Sequence, residues 1–257
     1  MTTPETAAGA GGLPGLRVLV PRGGPWGADV ADRLRRLGAE PVVAPLLAFA
    51  PPEDAAPLDA AIADLRVGRF DWLVVTSATT VDALVGRGAV VPPVTRVAAV
   101  GAATRAACQR AGLAVDLVPG SDHSALGLAD ELPADAGRVL LPQSDLADPE
   151  LARVLAGKGA AVRAVVAYRT VTVVADESVR ADVAAGAIGA ILVTSGSVAR
   201  QVAAQLAPLP PATLVACLGP RTAAEATAAG LPVSLVAPDR TIPSLLAALA
   251  AHVVAAR

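Results

Sequence analysis

The sequence predicts an α/β fold of two similar lobes, each a parallel sheet flanked by helices. Three observations carry that prediction. Residues 71–113 recur without a gap at 189–231, so that LVVTS (73–77) falls on ILVTS (191–195), VAAVG (97–101) on VACLG (215–219) and Gly112-Leu113 on Gly230-Leu231, each pair 118 positions apart. Such self-similarity sets an architecture of repeated units. A weaker match pairs RVLVPR (17–22) with RVLLPQ (138–143) and LGAEPVV (37–43) with KGAAVRA (158–164), here 121 positions apart. Finally, short and nearly continuous apolar runs alternate with segments of helical spacing, the pattern of parallel strands covered on both faces.

Taken in order, residues 16–20 read as a strand that ends at Pro21-Arg22, and residues 26–37 as a helix with Val30, Leu34 and Leu37 on one face and Gly38 as its stop. A second strand over 39–48 is interrupted by Pro41 and Pro45, which suits an edge or an exit from the sheet. Pro51-Pro52 then breaks the chain. Helices follow over 58–67, 79–85, 102–111, 124–132 and 149–158, and strands over 72–76, 95–100, 115–118, 138–141 and 161–167. The stretch YRTVTVV, opened by Tyr168, alternates polar and β-branched residues and reads as an extended connector. Beyond it, helices are expected over 178–185, 197–206, 221–229 and 242–254, with strands over 190–194, 213–218 and 233–236.

Composition narrows the function classes. The 257 residues are 54% apolar but only 2% aromatic, so the core is built of Ala, Val and Leu, and few rings are left to stack on bases. A net charge of −2 supplies no field to draw in a polyanion, which argues against nucleic acid as a partner. Cys108 and Cys217 have no metal-ligand or disulfide spacing and read as buried thiols of a cytoplasmic protein. Residues 1–14 lack the features of a signal peptide and are expected to be a disordered leader. The longest uncharged run of the second unit, 201–220, carries four prolines and cannot be a membrane span.

Chemistry is expected where strands end and helices begin, because helix N-termini there present free N–H groups to anions. Both copies close their middle strand with a hydroxyl pair, Thr76-Ser77 and Thr194-Ser195, each able to cap the next helix or to hold a carboxylate. A second recurrent turn pairs Gly101-Ala-Ala-Thr104 with Gly219-Pro-Arg-Thr222. It lacks the second glycine of a dinucleotide fingerprint, and no phosphate loop is present. Arg22, Arg221 and Arg240 stand near strand ends, placed to meet an anion or water. His123 and His252 are isolated, so no Ser-His-Asp set assembles. The single tyrosine, Tyr168, is either a packing residue between units or a weak acid facing a cleft.

Together, VLVPR (18–22), LVVTS (73–77), VAAVGAATRAACQRAGL (97–113), VVAYRTV (165–171), ILVTSGSV (191–198) and CLGPRTAAEATAAGLP (217–232) resemble the uroporphyrinogen-III synthase family over nearly the whole chain after the leader. The individual motifs are diffuse; their order and spacing carry the resemblance. It implies that 15–46 and 173–257 form one discontinuous lobe, that 52–167 form the other, and that 47–51 and 168–172 link them. The repeats alone leave two contiguous halves equally open.

The implied reaction is cyclisation of hydroxymethylbilane, a linear tetrapyrrole octacarboxylate, to uroporphyrinogen III, with loss of water and inversion of ring D, in a cytoplasmic monomer without cofactor, nucleic-acid partner or membrane. Catalysis would rest on holding one folded conformer of the substrate. The carry-over makes Tyr168 the acid assisting water loss, with Arg22, Thr76, Ser77, Thr104, Ser195, Ser197 and Thr222 as substrate contacts. Gln143 departs from the family pattern, standing where Arg22 stands in the other unit, and takes away an anion contact. Two rivals are a non-catalytic two-lobed binding protein for a small acidic ligand, disfavoured by the missing export signal, and a sensor retaining the synthase fold, disfavoured by the missing DNA-binding extension.

Overall fold

The computed structural model describes residues 12–120, 122 and 124–255. β1 (Arg17–Arg22), α1 (Gly24–Arg36) and β2 (Glu40–Ala50) come first. They are followed by α2 (Ala56–Arg66), β3 (Trp72–Val75), α3 (Ala78–Gly86), β4 (Arg96–Ala99), α4 (Ala102–Arg110), α5 (Ala125–Glu131), β5 (Arg138–Ser144), α6 (Glu150–Gly157) and β6 (Ala161–Thr172). The remainder comprises α7 (Glu177–Ala184), β7 (Ala190–Val193), α8 (Gly196–Leu206), β8 (Leu214–Cys217), α9 (Pro220–Ala228), β9 (Val233–Val236) and α10 (Ile242–Ala255).

The chain divides into two compact units, one holding the described residues up to Ala48 and from Thr172 onward, the other Phe49–Val171. The chain crosses between them inside β2 and inside β6. In the first unit the strand order is β2-β1-β7-β8-β9 and in the second β4-β3-β5-β6, with the strands paired in parallel in both. Parallel pairing puts every strand's carboxyl end on the same edge of its sheet, and this edge is where the predicted turns fall.

Each sheet is covered on both faces, and the strand side chains alternate between the two layers. In the first unit, Ile191 and Val193 of β7 join α7, α8 and α9, while Ala190 and Leu192 join α1 and α10. In the second, Leu73 and Val75 of β3 pack with α2, α3 and α4, while Trp72 and Val74 pack with α5 and α6. β3 and β7 are buried along their full length, which is why they read as unbroken apolar runs.

Two expectations need correction. Residues 115–118 form only an isolated bridge, Ala98 to Leu117, instead of a strand. The Asp116 carboxylate accepts the Val97 N–H at 2.7 Å, taking the place of a ladder bond, and Pro119 prevents extension. The extended stretch opened by Tyr168 is part of a longer strand, since β6 runs from Ala161 through Tyr168 to Thr172. Of the expected leader, residues 1–11 lie outside those described, but Leu13 is fully buried against the α1 and α10 layer and its N–H donates to Leu37 O at 2.7 Å. An apolar side chain with a core to enter does not stay in a solvated tail. β2 accommodates its two prolines by a register shift, Val20 facing Val43 but Arg22 facing Leu47, which lets the chain bulge around Pro45.

Candidate functional site

The strand-end turns arise from one local device used twice. Ser77 and Ser195, both extended, cap α3 and α8, with the Thr80 N–H donating to Ser77 Oγ at 3.1 Å and the Val198 N–H to Ser195 Oγ at 3.3 Å. Gly101 and Gly219 occupy the equivalent cap of α4 and α9 without a side-chain bond. A Cβ at Gly219 would stand 3.2 Å from Arg240 Cγ, so glycine there lets the Arg240 stem lie against the start of α9.

In the second unit the structure brings Tyr168 and Ser77 together. Tyr168 Oη lies 3.3 Å from Ser77 Oγ, and Ser77 Oγ lies 2.9 Å from Thr80 Oγ1. The Tyr168 ring is half-buried and meets Phe49 edge-on, centroids 5.3 Å apart at 84°. Its backbone is bracketed by Asp145, whose N–H donates to Tyr168 O at 3.1 Å and whose Oδ1 accepts the Thr170 N–H at 3.0 Å. Thr76 is half-buried between β3 and α3, and Thr104, in the first turn of α4, is 6% exposed and offers a ligand little surface.

The first unit presents a charged version of the same edge. Arg22 ends β1 with its guanidinium 5.0 Å from the Trp26 ring centroid. Ser197 Oγ accepts from Arg200 Nη2 at 3.2 Å, Arg200 Nη1 donates to Glu225 Oε2 at 3.0 Å, and Arg221 Nε to Glu225 Oε1 at 3.3 Å. The Glu225 carboxylate lies where a Cβ on Gly196 would stand, against the first residue of α8. Thr222 is half-buried in the first turn of α9.

Nothing in these turns resembles a nucleophilic triad. His252 lies in α10, His123 is outside the described residues, and among the described residues no three His, Cys, Asp or Glu side chains are grouped to hold a metal. Burial pushes the Cys217 thiol up to about 11, which keeps it protonated and inert at neutral pH. No helix of the described residues is long and apolar enough to cross a membrane.

Residues 28–247 match the family described as HEM4, uroporphyrinogen-III synthase HemD. The chain belongs to the uroporphyrinogen-III synthase family. It is 28% identical over 243 residues to the porphyrin biosynthesis protein HemD of Ruminiclostridium josui, an alignment covering 90% of this chain and 47% of that protein. The chain thus spans about half the length of this curated relative. Among solved structures it is similar to a mutant uroporphyrinogen III synthase from the extremely thermophilic bacterium Thermus thermophilus, with TM-score 0.65 and 19% identity over 93% of this chain and 99% of that one. It is likewise similar to uroporphyrinogen-III synthetase from Helicobacter pylori, with TM-score 0.58 and 16% identity over 95% of this chain and 100% of that one. At those identities the structures establish a shared α/β fold.

Within this family fold, sequence reasoning missed Arg200, Glu225 and Asp145. Arg200 and Glu225 sit in the repeated stretch where the other copy has Asp82 and Ala107, so a charge difference between the copies was the available signal. Asp145 carries no motif, because it acts through backbone groups that only pairing of β5 with β6 brings near.

Proposed function

We propose that this chain is a uroporphyrinogen-III synthase, cyclising hydroxymethylbilane to uroporphyrinogen III with loss of water and inversion of ring D. The family match over residues 28–247 carries the reading. Tyr168 is the acid: its hydroxyl gives a proton to the departing hydroxymethyl oxygen, which leaves as water. The electrophilic carbon left behind is attacked at the substituted carbon of the terminal pyrrole, and the spiro intermediate opens and recloses with that ring reversed. The free bilane closes in water without inversion, so the protein's main contribution is to hold the folded conformer.

The substrate's carboxylates are assigned to Arg22, Thr76, Ser195, Ser197 and Thr222, and to Thr104 with less accessible surface. Hydroxyls and helix-start amides suit carboxylates without demanding a net basic protein, in keeping with the charge of −2. On the same reading the protein works as a cytoplasmic monomer with residues 47–51 and 168–172 as linkers between its two lobes. The test is to supply enzymatically generated hydroxymethylbilane, oxidise the products and separate the isomers. Type III porphyrin above the spontaneous background is expected; type I alone, at the rate seen without protein, overturns the proposal.

A further inference from the structure

Three hydroxyls meet at the start of α3, and their arrangement determines which way each hydrogen points. A serine hydroxyl has one hydrogen and two acceptor lone pairs. One lone pair of Ser77 takes the Thr80 N–H at 3.1 Å. Thr80 is fully buried and, among the described residues, its hydroxyl finds its hydrogen-bond partner in Ser77 Oγ at 2.9 Å. A buried hydroxyl hydrogen without an acceptor is strongly disfavoured, so Thr80 donates to the second lone pair of Ser77. The hydrogen of Ser77 is left for its remaining neighbour, Tyr168 Oη, 3.3 Å away.

We infer that Ser77 is a positioning residue for Tyr168, donating its hydroxyl hydrogen to the phenol oxygen so that the phenol's own proton is free to face the substrate. This rests on the reading of Tyr168 as the acid and replaces a carboxylate-binding role for Ser77. Phe49 against the ring and Asp145 along the backbone hold the phenol at this angle. The hydrogen bonds from Thr80 through Ser77 run in one direction and polarise one another. A separation of 3.3 Å is long for an O–H···O bond, and it tightens as the phenol oxygen takes on charge.

In the reaction, Tyr168 passes its proton to the hydroxymethyl oxygen, and the C–O bond breaks with its electron pair leaving on that oxygen as water. The resulting phenolate is met by the Ser77 hydrogen. The proton shed when the closing pyrrole regains aromaticity returns to the phenolate, so the step balances without any oxidant or reductant.

Tyr168 is the only tyrosine in the chain, which allows a direct test. The ultraviolet resonance Raman doublet of a tyrosine distinguishes a phenol that accepts a hydrogen bond from one that donates. An acceptor doublet is expected for the unaltered protein and for Ser77→Thr, and its loss in Ser77→Gly, which keeps the helix cap nearly intact. An unchanged doublet in Ser77→Gly, or a donor doublet in the unaltered protein, overturns the inference whether or not the protein is active. In turnover, Ser77→Gly should lower kcat about 10-fold with little change in KM, the size of one general-acid contribution, and Ser77→Thr should restore it. In a Tyr168→Phe background the same substitution should cost nothing more. An equal loss in both backgrounds, or an effect confined to KM, means that Ser77 acts independently of Tyr168. Absence of type III product from the unaltered protein would instead count against the synthase reading, and the Raman result would still decide the hydrogen bond.

Discussion

The two copied stretches, 71–113 and 189–231, share a frame and differ in what it carries. β3 and β7, α3 and α8, β4 and β8, and α4 and α9 all begin 118 positions apart. Buried Thr95 donates to Phe70 O at 2.7 Å, and Thr213 to Ile188 O at 3.0 Å. The Val97 N–H is accepted by the Asp116 carboxylate and its counterpart at Val215 by the Ser234 hydroxyl, so the acceptor was kept while its chemistry changed. Past the serine caps the copies part. One gathers neutral hydroxyls around Tyr168; the other gathers Arg200, Arg221 and Glu225. Duplication has retained the hydrogen bonds that the backbone needs and released the side chains on the edge where the strands end.

That contrast can be broken or sharpened by paired substitutions. The largest effect belongs to the neutral copy: Tyr168→Phe should lower turnover by about 10-fold or more with folding retained, the magnitude of a lost general acid. Ser195→Ala, at the counterpart of Ser77, should raise KM instead. Steady-state rates on hydroxymethylbilane check both, and full activity of Tyr168→Phe would abolish the distinction between the copies.

Next come the shared threonines. Thr95→Val and Thr213→Val should each cost about 1–2 kcal/mol by leaving a buried carbonyl without its donor. The two losses in urea denaturation should agree within about 0.5 kcal/mol, and a larger disparity would mean that the frame is held differently in the two places. Smaller still is Arg200→Ala. Its ion pair with a one-third-exposed Glu225 should contribute below about 0.5 kcal/mol to stability, while KM for the polyacid rises. A large drop in stability would make that pair structural.

A pH dependence is absent at neutral pH and emerges only in alkali. Burial raises the Cys217 thiol from 9.0 to about 11, so the folded state keeps a proton that the unfolded chain gives up. Stability is therefore full below about pH 9 and falls between there and about pH 11. Cys217→Ala installs the residue that the other copy already has at Ala99, and should flatten that decline when denaturation midpoints are compared at neutral and alkaline pH. An equally steep decline in the variant would assign it to other groups.

Much of this was legible beforehand because it repeats. The apolar runs of β3 and β7, the serine caps and the glycine turns are local features, and seeing each twice separated frame from coincidence. The strand at 115–118 misled because Val115 and Leu117 have the right alternation, yet Asp116 between them spends its carboxylate on Val97. The leader misled because Leu13 lies in a run of glycines whose composition hides one apolar anchor. At the candidate site, Ser77 and Tyr168 were each recognisable, but 91 positions separate them, and no pattern in either segment announces the other.

By itself the sequence determined the class of fold, the repeated frame, the edge on which chemistry could occur and the family to which the pieces add up. The fold class and the frame follow from short-range periodicity and from copying, whereas the family rests on the resemblance carried by the order and spacing of the motifs. Tertiary structure alone decided that the lone tyrosine meets a helix-capping serine, that a buried threonine orients that serine's hydrogen, and that Glu225 lies against the start of α8 between two arginines. Those pairings depend on which strands lie side by side and in what register, and hydrogen bonds between distant segments are created only when the sheet has formed.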